Sequence, residues 1–62
     1  MKNLKYRFID KIDRKGIGPN FIATLMERSS DGKQAIFVNG NPVTGWHEAD
    51  DEEVTGKWNQ YR

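Results

Sequence analysis

Residues Asn20 to Gly40 read NFIATLMERSSDGKQAIFVNG, and the choice between helix and hairpin here decides the fold. As a helix, Asn20 would be the N-cap, Phe21, Ile22, Leu25 and Met26 would share a face, and Gly32 would sit just past the end. As two strands, 20–28 and 33–39 flank a turn at Ser-Ser-Asp-Gly. The hairpin is the better reading. Asp31-Gly32 between apolar runs is a strong turn signal. The return run Ala-Ile-Phe-Val is rich in β-formers and too short for a typical helix. A three-residue loop with Gly32 in the left-handed region sets Met26 opposite Ile36 and Leu25 opposite Phe37. Asn39-Gly40 then suits a two-residue turn in which both residues need positive φ. Pro42 lacks an amide hydrogen, so a strand near 42–47 starts late or lies on an edge.

Working outward, the segment before this hairpin alternates. Leu4, Tyr6, Phe8 and Ile12 fall on one side of an extended chain, and Lys5, Arg7 and Lys11 on the other, with Ile9 interrupting the polar side. A period of two predicts a half-buried strand near 4–12. The glycines and proline of DRKGIGPN mark a loop. Both faces of the second and third strands carry apolar residues, so each needs cover. The sheet either curls into a small SH3-like barrel or receives the C-terminal segment across it, with Trp46, Val54 and Trp58 as cover.

That last segment predicts a helix from Asp50, with Asp50 as N-cap and Glu53 at capping-box spacing. Acids at its start oppose the positive end of the helix dipole. Val54, Trp58 and Tyr61 lie at i, i+4 and i+7 on one face. Thr55 and Gly56 are poor helix formers, and the rival is a fifth strand. The expected fold is therefore a β-rich, small α+β domain: an antiparallel meander of three or four strands, or a small barrel, with a short C-terminal helix.

Sixty-two residues without cysteine make one small domain with no disulfide or thiolate-metal staple. A chain of this size buries only about 60% of the surface its unfolded form exposes. The core candidates are Leu4, Phe8, Ile9, Ile12, Phe21, Ile22, Leu25, Met26, Ile36, Phe37, Val38, Val43, Trp46, Val54 and Trp58. A net charge of +1 points to no particular partner. The charges are nevertheless segregated. Residues 1–15 carry six bases against two acids, and five of the six residues from Glu48 to Glu53 are acidic. No run is long and apolar enough for a signal peptide or a membrane span, and a cytoplasmic protein is the expectation.

Catalysis is poorly supported. The chain has one histidine, His47, and its only serines, Ser29 and Ser30, lie in the turn. HEADDEE, from His47 to Glu53, is oxygen-rich, but its spacing lacks the glycine and distant glutamate of a calcium loop. An acidic helix start explains it better, and neither a metal nor another cofactor is expected. RKGIG, from Arg14 to Gly18, could cradle a phosphate but lacks a helix start at fixed spacing. Two binding classes remain. One is a protein partner, for which Trp46, Glu48, Asp51, Glu52 and Glu53 are the contact candidates, as in an adaptor or an inhibitor with an acidic surface. The other is nucleic acid, held by Lys5, Arg7, Lys11, Arg14 and Lys15. Against it, Tyr6 and Phe8 alternate onto the side away from these bases.

Overall fold

The computed structural model describes residues 5–15 and 20–62. Leu4 and the glycines of RKGIG lie outside them. Four strands, β1 (Tyr6–Arg14), β2 (Phe21–Arg28), β3 (Gln34–Val38) and β4 (Asn41–Pro42), precede one helix, α1 (Glu52–Tyr61). The strands form an antiparallel sheet in the order of the chain, β1-β2-β3-β4. This is the expected meander with a C-terminal helix, and the segment from 52 to 61 is not a fifth strand.

Both turns are where their residues demand them. Gly32 has φ of 73°, and Asn39 and Gly40 have φ of 52° and 85°. Such angles cost little for glycine and are tolerated by asparagine. The first loop holds four residues, not three. Arg28 N–H donates to the Lys33 carbonyl oxygen at 2.7 Å, and Gly32 N–H to that of Arg28 at 2.7 Å. The extra loop residue moves the ladder by one, so Leu25 opposes Ile36, Met26 opposes Ala35 and Thr24 opposes Phe37. Val43 N–H still donates to the Ile36 carbonyl oxygen at 2.9 Å, and past it the chain leaves the ladder. Thr44 Oγ1 accepts Ile36 N–H at 3.0 Å, where a strand would offer a carbonyl. Backbone-to-backbone pairing resumes at His47, which exchanges two hydrogen bonds with Gln34 at 2.7 and 2.9 Å. The fourth strand is therefore shorter than the expected 42–47.

Opposed residues of a ladder share a face. On one face lie Phe21, Ala23 and Leu25 of β2 and Ile36 and Val38 of β3, and α1 packs there through Val54 and Trp58. Ala23, Leu25, Ile36, Val54 and Trp58 form the buried cluster, with Ile12, Phe21, Val38 and Tyr61 against it. The opposite face carries Ile22, Thr24, Met26, Arg28, Ala35 and Phe37.

β1 departs from strict alternation. Phe8 opposes Met26 and Asp10 opposes Leu25, so Ile9 is the extra residue of a bulge. A bulge exchanges the two faces of the strand beyond it. Ile12 consequently points to the helix side, with Asp10 and Arg14, while Tyr6 and Phe8 point to the other, with Lys11 and Asp13. The alternation expected across 4–12 fails at this residue. Phe8, Ile9 and Val43 are exposed and do not belong to the core.

Helix α1 begins one residue later than its sequence suggests. Asp51 is the N-cap, and its side chain accepts Glu53 N–H at 2.8 Å. Asp51 is extended, with ψ of 136°, while its carbonyl oxygen takes Val54 and Thr55 N–H at 3.0 and 2.9 Å. Asp50 is outside the helix and caps nothing, so the capping box with Glu53 does not form.

Candidate functional site: the open face of the sheet

Trp46 is the centre of the face opposite α1. Its ring stacks on Tyr6, with centroids 5.4 Å apart and planes at 21°, and meets Phe37 at 6.1 Å. The Arg28 guanidinium lies over it at 4.8 Å. Such a cation over an indole face is attracted by the ring quadrupole. Arg28 is itself held by Asp31 through two hydrogen bonds, Nε to Oδ1 at 3.1 Å and Nη2 to Oδ2 at 2.7 Å. Asp31 also accepts Lys33 N–H at 3.1 Å. The hydrogen bonds from Arg28, and then that from Lys33, pull the Asp31 carboxyl down to about 2. The same turn that reverses the chain thus fixes the cation over Trp46.

Beside this stack the face is bare. Phe8 is 68% exposed and Tyr6 46%, and Ile9, in the bulge between the two faces, is 41% exposed. A regular strand would have turned Tyr6 and Phe8 toward the same side as Ile12, under the helix. The bulge sends them out, and no periodicity in the sequence signals it.

The helix face uses its polar groups structurally. Asp10 Oδ2 accepts the Trp58 indole N–H at 3.3 Å and an Arg62 N–H at 3.3 Å. This carboxylate ties the edge strand to the helix, a role its sequence position did not suggest. Trp58 is only 4% exposed and packs edge-on to Tyr61.

The five basic candidates are divided between surfaces. Lys11 lies on the open face, opposite Thr24. Arg7 pairs with Glu27 at 2.6 Å, and Arg14 donates to the Tyr61 carbonyl oxygen on the helix side. Lys5 N-terminal to β1 and Lys15 beyond it are exposed. Among the acidic candidates, Asp51, Glu52 and Glu53 stand at the start of α1 and Glu48 precedes it, while the Trp46 ring packs against Tyr6 and Phe37. Asp51 is occupied as cap and lies 3.6 Å from His47 Nδ1. Glu48, Glu52 and Glu53 are exposed. Among the described residues, no three His, Asp or Glu side chains converge as metal ligands would, and no enclosed pocket is present. No described helix is long and apolar enough to cross a membrane.

Compared with models of protein families, with curated proteins and with solved structures, the chain matches none.

Proposed function

We propose that this is a small non-catalytic binding module that acts through a protein partner, an adaptor or inhibitor in type, with Phe8 as the contact anchor. One observation carries the reading: a phenylalanine 68% exposed on an ordered sheet face, beside a half-exposed tyrosine. Contiguous apolar surface on a small domain marks an interaction site, and aromatic anchors supply most of the energy at interface centres. The acidic start of α1, with Glu48, Glu52 and Glu53 exposed, adds a charge that speeds encounter with a basic partner.

The test compares wild-type and Phe8→Ala chains as bait in nuclease-treated lysate, followed by affinity measurement with the captured protein. Phe8→Ala should leave stability nearly unchanged and weaken binding by tenfold or more, as hot-spot truncation does. Glu52→Gln with Glu53→Gln should slow association at low salt only. Equal capture and equal affinity with Phe8→Ala would refute the anchor.

Nucleic acid is the second reading, and the bulge favours it by placing Lys11 on the face of Tyr6 and Phe8. Aromatic and basic groups on one sheet face suit stacked, unpaired bases. Titration with single-stranded DNA and RNA at low salt decides it. Binding should weaken with salt and with Lys11→Ala, and an unchanged amide spectrum would remove this class.

A further inference from the structure

We propose that the protein pairs with a second copy of itself along the outer edge of β1, antiparallel and centred on Ile12. This goes beyond the partner-binding reading and uses the edge of the sheet, not its open face.

No described strand lies beyond β1, which is the first in the sheet order. The other edge is a two-residue strand that contains Pro42. Beyond the bulge, Asp10 to Arg14 pair regularly with β2. Their outward backbone groups follow from the ladder. Ile22 bonds toward β3, its carbonyl oxygen to Asn39 N–H and its N–H to Asn39 Oδ1. Phe21, Ala23 and Leu25 must then bond toward β1, to Arg14, Ile12 and Asp10. Lys11 and Asp13 are left with N–H and C=O directed outward. The Lys11 N–H is consistent with this, since its partner is the Asp10 side chain at 2.8 Å.

The outward stretch reads Asp-Lys-Ile-Asp-Arg. Turned end for end about Ile12, it meets itself as Asp10 with Arg14, Lys11 with Asp13 and Ile12 with Ile12. All four charge pairs across the two copies are opposite in sign. Opposite charges directly across a ladder are favourable and like charges are not. The alternatives fail. Centring on Asp10, Lys11, Asp13 or Arg14 sets that residue against its own copy. Centring between residues sets one face of the sheet against the other, which the pleat forbids. In the Ile12 register Lys11 and Asp13 of the two copies exchange the outward backbone hydrogen bonds, and Asp10, Ile12 and Arg14 meet on the helix side. The incoming Arg14 takes over the Asp10 oxygen that now caps Lys11 N–H. The product is one eight-stranded sheet with both helices on one side.

Lys11 and Asp13 oppose Thr24 and Ile22 in β2, so changing their charge breaks no ion pair across the sheet. Sedimentation equilibrium across a wide concentration range reads the result. The wild-type chain should dimerise. Lys11→Asp and Asp13→Lys should each weaken dimerisation at least tenfold, because each creates two like-charge pairs. An equimolar mixture of the two variants should restore the dimer mass, and so should the double exchange within one chain. Amide spectra check that each variant is folded. A wild-type monomer at every concentration overturns the proposal. So does a dimer indifferent to the single changes, or a mixture that stays monomeric. Phe8→Ala should leave the dimer intact, which separates failure here from failure of the partner-binding reading.

Discussion

Gly40 and Asp31 show how much one residue decides in a chain this small. Gly40 has φ of 85° with open space around its α-carbon, so any cost of replacing it is conformational and not steric crowding. A β-branched side chain there should destabilise the domain by about 1–2 kcal/mol. Denaturant unfolding of Gly40→Val checks this, with Gly32→Val as a parallel case at φ of 73°. Asp31 acts through its charge. Its carboxyl is lowered from 3.8 to about 2 by Arg28 and by the Lys33 amide. A depressed folded value means that the ionised form favours the folded state. That contribution is complete above the ordinary carboxylate value and is lost as pH falls through about 2. Carboxyl titration by NMR should place Asp31 near 2, and Asp31→Asn should lack this part of the acid sensitivity. An Asp31 midpoint near 4 would show that the Arg28 contact is not held in solution.

At the scale of elements, the start of α1 offers a direct comparison. Asp51→Ala should cost about 1 kcal/mol by removing the acceptor for Glu53 N–H, while Asp50→Ala should change stability little. Equal losses for both would mean the two aspartates share the cap. The bulge allows a sharper test. Deleting Ile9 should leave Phe8 opposite Met26 and Asp10 opposite Leu25 in a regular ladder, with both faces preserved. Contacts of Tyr6 with Trp46 and of Ile12 with the core should survive, as read by nuclear Overhauser effects; loss of either would place the bulge elsewhere. These elements also show what was legible in the sequence. The turns at Asp31-Gly32 and Asn39-Gly40 were, because positive φ is a local demand with few residues to meet it. Val54 and Trp58 were, because their spacing defines one helix face. The bulge was not, since it depends on how β1 meets β2, and Ile9 alone carries no mark of it. The cap was missed by one residue because two adjacent aspartates are chemically equivalent until the chain's approach through the Gln34–His47 bridge is known. For the candidate site, Trp46 was legible as an aromatic of interest, but its company was not: Tyr6, Phe37 and Arg28 come from three strands.

For the molecule as a whole, the two sides differ in kind. One is sealed by α1, and the other shows aromatic side chains and a cation fixed over a tryptophan. The order of the strands has a further effect, on time. Each strand of the sheet lies beside the one made just before it, and the two turns after β2 and β3 span four and two residues. Pairing therefore requires only the closure of short loops, and a sheet assembled from local contacts folds faster than one built from distant ones. Stopped-flow refolding should show a main phase on the order of milliseconds. A minor phase of tens of seconds would mark chains that start with a cis bond before Pro19 or Pro42, and a prolyl isomerase should speed that phase alone. Speed matters for a chain whose middle strands are apolar on both sides: the interval in which they stand unpaired, and able to aggregate with one another, is correspondingly brief.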